Sequence, residues 1–183
     1  MQNSNFKENI FPALVLVIIC LVVTLALAGT YSVANPIILE NQQKAADEAR
    51  TQVLPDGDSF TKYDGALADG VVECYIADNK AGMAVTSEYK GFGGAVQVMV
   101  GIGADGKVTG VTITNHSETP GLGTKAMTVD YLKQYIDVTE ASGGHINNDA
   151  NIAAVTGATI SSNAIYCSVG EALAQFQECG GVK

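Results

Sequence analysis

The sequence predicts an α+β chain: a single N-terminal membrane helix, then an antiparallel sheet with helices packed against it. Three observations carry this expectation. No charged residue occurs from Asn9 to Leu39, alternating apolar segments fill the stretch from residue 71 to 116, and helical apolar spacing returns near the C-terminus. Expected boundaries are a short head over 1–9, a transmembrane helix over 10–35, a membrane-proximal helix or linker over 36–56, and a domain over 57–183.

The first element is set by length. "IFPALVLVIICLVVTLALAGTYSVANPII" exceeds the ~20 apolar residues that a bilayer core requires. Pro12 suits a first helical turn and Pro36 suits an ending. Ala26-Leu27-Ala28 fits a signal-peptidase pattern. The apolar run is nevertheless longer than the ~7–15 residues of a signal peptide, and Lys7 is the only basic residue before it. We read a retained anchor. With Lys7 on one side and Lys44 and Arg50 on the other, the positive-inside rule does not fix the orientation.

Beyond the anchor, "LENQQKAADEARTQVL" (residues 39–54) can place Leu39, Ala46, Ala49 and Val53 on one helical face. Pro55-Asp56-Gly57-Asp58 then breaks it. "VVECYIA" (71–77) and "MAVTSEY" (83–89) read as strands around a turn at "DNKAG". In "AVQVMVGIG", Val96, Val98, Val100 and Ile102 share one face, and the returning "KVTGVTITNH" places Val111 and Ile113 together. Between these two runs, Ala104-Asp105-Gly106 predicts a hairpin through a type I′ turn. The expected sheet buries one side.

"KAMTVDYLKQYID" predicts an amphipathic helix on Val129, Leu132 and Ile136. The stretch from Ser162 to Cys179 predicts a second on Ile165, Val169, Ala172, Leu173 and Phe176. Gly170 weakens that last helix, and Gly180-Gly181 ends it.

Charge and cysteine content narrow the chemistry. A formal charge of −9 argues against nucleic acid and anionic lipid surfaces, which need Lys and Arg. Cys20, Cys74, Cys167 and Cys179 form no CxxC pattern and no Cys/His cluster, so a zinc, iron–sulfur or c-haem site is unsupported. Cys167 and Cys179 stand too far apart on one helix to bridge, while a link from Cys74 to either stays compatible with the spacing. His116 and His145 are isolated, and read as loop hydrogen-bonding residues. Tyr131 and Tyr135 read as core or interface.

Two polar loops remain. In "HSETPGLGT" (116–124), Pro120-Gly121 suits the central positions of a type II turn. Gly121 and Gly123 admit close backbone approach, Leu122 offers an apolar face, and Ser117, Glu118 and Thr119 supply polar contacts. In "TGATISSN" (156–163), Ser161 or Ser162 suits the N-cap of the last helix. The free N–H groups of its first turn favour an anion there, and Gly157 and Ala158 leave room for a phosphate. Each loop also reads as an ordinary turn or cap when taken alone.

Together, downstream of one membrane helix, "HSETPGLG" and "TGATISS" resemble the covalent-FMN domain of the G subunit of Rnf electron-transport complexes. The C subunit of the sodium-pumping NADH:quinone reductase is similar but usually longer. "YKGFGGAVQVMVGIGADGKVTGV" is similar to the strand region of those proteins. The resemblance implies FMN joined through its phosphate to Thr159, with Thr156, Gly157 and Ala158 shaping the turn and Ser161 and Ser162 beginning the helix. It also implies that Glu118, Thr119, Leu122 and Gly123 line the isoalloxazine or ribityl chain. A flavin transferase would supply FMN from FAD, with AMP leaving. The implied function is an electron relay in a cell-membrane complex that couples ferredoxin:NAD oxidoreduction to Na⁺ or H⁺ movement. Other membrane subunits are then the partners, and the single-pass chain holds its domain on the extracytoplasmic side. A stand-alone FMN-binding anchor and a quinone-reductase subunit are the alternatives. The family pattern carries an acidic residue three before its first threonine, where this chain has Ala153; Asp149 lies nearby, out of register.

Overall fold

The computed structural model describes residues 3–141 and 144–182, with side chains from residue 10 onward. The chain divides into two units, Met1–Ala45 and Ala46–Lys183. Residues 1 and 2 of the expected head lie outside the described residues.

The first unit is helical. Helix α1 (Asn3–Val53) begins within the head and continues past Pro12 and Pro36, so neither proline marks a boundary as expected. A proline removes one backbone bond, and a long apolar helix tolerates that loss where the rest of the segment stays helical. Three hydroxyls within the apolar run return their protons to the helix itself. Thr24 Oγ1 donates to the Cys20 carbonyl at 2.7 Å, Thr30 Oγ1 to Ala26 at 2.9 Å and Ser32 Oγ to Gly29 at 2.9 Å. The helix is long and apolar enough to cross a membrane, and these hydroxyls need no outside partner for it to do so.

The second unit is built on a five-stranded antiparallel meander. Strands β1 (Phe60–Lys62), β2 (Val71–Ala77), β3 (Gly82–Lys90), β4 (Ala95–Gly103) and β5 (Val108–His116) neighbour one another in chain order. The four longer strands coincide closely with the alternating segments. β1 has three residues, too few for alternation to reveal. The β4–β5 connection differs from the expected type I′ turn: only Gly106 has positive φ, +80°. Gly106 N–H donates to the Gly103 carbonyl at 2.9 Å, and Gly103 N–H to Lys107 at 2.8 Å. This is a type I turn closed by a glycine bulge, which needs one left-handed residue and not two.

One sheet face holds the main core. Val96, Val98, Val100 and Ile102 are buried there, joined by Met83, Val85 and Cys74, while Val111 and Ile113 pack at its margin. Helix α3 (Thr159–Glu178) lies on this face through Ala164, Ile165, Val169, Ala172 and Leu173. Gly170 sits in α3 because a side chain there would come within 2.5 Å of the Ala141 carbonyl oxygen. The helix ends as expected: Gly180 and Gly181 have positive φ, and their N–H groups cap the Gln177 and Phe176 carbonyls.

The opposite sheet face is covered too, contrary to the expectation of one buried side. Val53 from the end of α1, with Ala84 and Met99, forms a second small core flanked by Ala49 and Phe60. The helix end reaches it because Gly101 and Gly110, paired across β4 and β5, leave a notch for the Val53 backbone. Arg50 lies over the Tyr75 ring at 3.6 Å and is buried there.

The segment after β5 departs most from its expectation. The amphipathic helix is replaced by a 3₁₀ turn (Gly123–Met127), one α-turn, α2 (Val129–Leu132), and another 3₁₀ turn (Lys133–Tyr135). Thr128 is extended, and its hydroxyl accepts from Tyr131 N–H at 3.4 Å, which restarts the chain direction. Ala126, Leu132 and Tyr135 are the buried residues, whereas Val129 and Ile136 face solvent. Tyr135 is fully buried, in keeping with a core role. The four cysteines are free; Cys74 is buried, and its thiol is pushed up to about 12 by desolvation and by Cys179.

On α3, Glu171 has a buried Oε2 without a hydrogen-bond partner among the described residues. Burial, reinforced by Asp69, raises its carboxyl from 4.5 to about 7. The folded chain therefore holds this proton more tightly than the unfolded chain does. Its contribution to stability is complete below about pH 4.5 and is lost as pH rises through about 7. Glu171→Gln should leave the melting temperature near wild type at pH 5 and raise it by a few degrees at pH 8. Equal melting temperatures at pH 8 would show that burial of this carboxylate carries no penalty.

Candidate flavin-binding site

The loop leaving β5 and the first turn of α3 meet at one cavity of about 280 Å³. Its walls are Phe92, Glu118, Thr119, Leu122, Gly123, Gly157, Ala158, Thr159, Ile160 and Ser161. Eight of the ten residues that the resemblance assigns to the cofactor are therefore neighbours in space. The other two stand apart: Thr156 is exposed, and Ser162 is buried with its Oγ accepting from Val155 N–H at 3.1 Å.

The β5 loop is shaped by the expected type II turn. Leu122 N–H donates to the Thr119 carbonyl at 3.2 Å, and Gly121 has φ +77°. Gly121 N–H is further held by Thr124 Oγ1 at 2.9 Å. His116 Nδ1 accepts from Glu118 N–H at 3.3 Å, and His145 Nδ1 accepts from Asn147 N–H at 3.2 Å. Both histidines thus act within their loops.

The start of α3 differs from the expected cap. The helix begins at Thr159, two or three residues before the serines proposed to cap it, and its N-cap is Ala158, which offers no side-chain acceptor. Ser161 and Ser162 lie inside the first turn and are buried. Their hydroxyls are drawn to partners outside the helix, Ser161 Oγ to Glu118 Oε2 at 2.9 Å. The helix end is thereby left open toward the cavity, with free first-turn N–H groups and the positive end of the dipole. Gly157 has φ +83°, and a side chain there would meet open space. The turn is chosen for its backbone conformation, and the space beside it is clear.

Glu118 is 5% exposed, and both its oxygens are taken by the protein. Oε1 accepts from Phe92 N–H at 2.7 Å and Gly93 N–H at 3.1 Å, while Oε2 accepts from Ser161. Among the described residues, no Lys or Arg lines the cavity. A phosphate here would be met by backbone N–H groups and hydroxyls alone, and the apolar walls suit a planar ring. The chemistry of these residues fits a flavin mononucleotide.

Phe92 and Ile160 escaped the sequence reading. Both line the cavity and are largely exposed, at 69% and 54%. The available signal for Phe92 was an aromatic residue set among glycines in "GFGG". A larger cavity of about 650 Å³ lies elsewhere, along residues 136–140 and 148–152. It carries three carboxylates, Asp137, Glu140 and Asp149, where the cavity at α3 has one that is held by three donors. At Ala153, where the family pattern places an acid, Gln134 holds the backbone through both its amide atoms, at 2.9 and 3.4 Å.

Comparison with known proteins accords with this geometry. A family profile described as FMN-binding domain matches residues 91–174, spanning both loops and the "GFGG" turn. The G subunit of the proton-translocating ferredoxin:NAD(+) oxidoreductase complex of Clostridium ljungdahlii is 32% identical over 190 residues, covering 100% of this chain and 97% of its own. The G subunit of the Na(+)-translocating ferredoxin:NAD(+) oxidoreductase complex of Acetobacterium woodii is also 32% identical, covering 90% and 89%. The G subunit of the ion-translocating oxidoreductase complex of Methanosarcina acetivorans is 31% identical, covering 88% and 91%. The chain belongs to the G-subunit family of ion-translocating oxidoreductase complexes and carries an FMN-binding domain.

Proposed function

We propose that this chain is the electron-relay subunit of a membrane complex that couples ferredoxin:NAD⁺ oxidoreduction to Na⁺ or H⁺ translocation, with FMN esterified through its phosphate to Thr159. The observation that carries the reading is the placement of Thr159. A hydroxyl residue opens a 20-residue helix, inside a cavity lined by no basic side chain and by the buried Glu118. A phosphate held there only by noncovalent contacts would depend on backbone N–H groups and hydroxyls, beside a carboxylate and with no cation among the described residues that line the cavity. An ester bond makes retention independent of charge pairing.

When bound, FMN supplies the electron transfer; the chain's residues hold and orient it. Backbone N–H groups at the start of α3 meet the phosphate. Phe92, Leu122 and Ile160 supply apolar walls, and Gly123 and Gly157 let the backbone come close. The domain lies on the extracytoplasmic side of the membrane, where lost cofactor is not readily replaced and a covalent tether has most value. A flavin transferase performs the attachment and releases AMP from FAD. Other membrane subunits of the complex deliver and receive the electrons. Two relatives at equal identity carry names with different ions, so likeness to them does not select between Na⁺ and H⁺.

The test is the full-length chain, expressed in membranes with a flavin transferase and run on a denaturing gel. A band that fluoresces under ultraviolet light is the expected result. A dark band, with the transferase shown active on a second substrate, overturns the covalent assignment.

A further inference from the structure

We propose that Glu118 is a positioning residue, whose carboxylate latches the Gly91–Gly94 turn to the start of α3 and so sets Phe92 as a wall of the flavin cavity. The inference rests on reading that cavity as the flavin site, and it assigns Glu118 a task other than direct contact with the cofactor. The "GFGG" turn closes on itself through Gly91 N–H to the Gly94 carbonyl at 2.8 Å. Its two central amides, those of Phe92 and Gly93, both point to Glu118 Oε1. Oε2 is bound by Ser161 in the first turn of α3. One buried carboxylate thus joins three segments that line the cavity but lie far apart in sequence.

The surrounding glycines are those this latch requires. A side chain at Gly91 would stand 2.2 Å from Glu118 Oε1, and one at Gly123 would stand 2.3 Å from Oε2. One at Gly93 would stand 2.3 Å from the Ser117 carbonyl oxygen. Close packing at these positions lets a short turn surround the carboxylate from both sides. Phe92 itself has no such constraint, since it is mostly exposed and faces the cavity at its edge. A large aromatic residue held outward by bonds from its own and the next backbone amide is positioned for contact with a ligand. It contributes little to the core.

The chemistry separates two substitutions. Glu118→Ala removes all three bonds. In Glu118→Gln the amide oxygen still accepts from Phe92 and Gly93, and the amide nitrogen can donate to Ser161 Oγ, since a hydroxyl also accepts. The latch therefore survives Gln and fails with Ala.

Amide hydrogen exchange on the detergent-solubilised full-length chain reads the latch directly, with or without flavin. Glu118→Ala should accelerate exchange at Phe92 and Gly93 by roughly tenfold or more, and Glu118→Gln should restore slow exchange. Ser161→Ala, a milder change, should give an intermediate rise. Iodide quenching of flavin fluorescence then reads the wall. Phe92→Ala and Glu118→Ala should increase quenching alike, and the double variant should add nothing further. Unchanged exchange in Glu118→Ala, or additive quenching in the double variant, overturns the proposal. A wild-type chain without flavin would defeat the reading of the cavity, and exchange alone would then uphold or overturn the latch.

Discussion

Thr159→Val is expected to abolish all flavin that survives denaturation, while Thr156→Val retains most of it. The two threonines sit three residues apart in one motif, yet only Thr159 lines the cavity. Thr156 is exposed ahead of the Gly157 turn. Valine matches threonine in shape and removes only the hydroxyl, and Thr159 is half-buried, so the fold should persist. Thr159→Ser keeps an oxygen of the right type and should retain part of the label. The measurement is flavin absorbance per chain after denaturation and dialysis of protein made with a flavin transferase. Wild-type levels in Thr159→Val would sink the phosphoester assignment outright. Noncovalent flavin in native Thr159→Val would still be compatible with the cavity, and would separate binding from attachment.

The contrast between these threonines shows what a linear sequence conveys about such a site. Composition marked each loop only as a turn or a cap, and it was the resemblance to the FMN-domain family that joined the two into one site. The alternation Val96, Val98, Val100, Ile102 stated its strand and its buried face, since period two has one structural meaning. Ser161, Tyr135 and Phe92 were misread because they depend on contacts made from elsewhere in the chain. Ser161 looked like a helix cap because local pattern assigns a serine there to the nearest N–H. The structure gives its hydroxyl to Glu118, 43 residues away. The segment from Lys125 to Asp137 carried residues compatible with a helix, but Thr128 interrupts it and Tyr135 enters the core in place of Ile136. Phe92 went unnoticed because an exposed aromatic residue has no periodic signature. It gains meaning only from the cavity beside it.

The second large effect is expected where the end of α1 meets the sheet. Gly101→Ala would place a methyl group 2.1 Å from the Val53 carbonyl oxygen, a backbone atom that cannot turn aside. The same oxygen accepts from Thr109 Oγ1 at 2.6 Å, so moving it breaks that bond and lifts Val53 from the pocket formed with Ala84 and Met99. Losing the burial of one valine costs about 1.5–3 kcal/mol, and the hydrogen bond about 1 more. A penalty of about 3 kcal/mol lowers the melting temperature by roughly 6–12 °C for a domain of this size. Gly110→Ala should be milder, because its added methyl would lie 2.8 Å from Val53 Cα. Thr109→Val removes only the bond and should cost about 1 kcal/mol. Thermal unfolding of the solubilised chain should therefore rank Gly101→Ala below Gly110→Ala, and both below Thr109→Val. If Gly101→Ala melts with wild type, the end of α1 is free to shift on the sheet. The glycine pair then does not fix the Val53 backbone against β4 and β5.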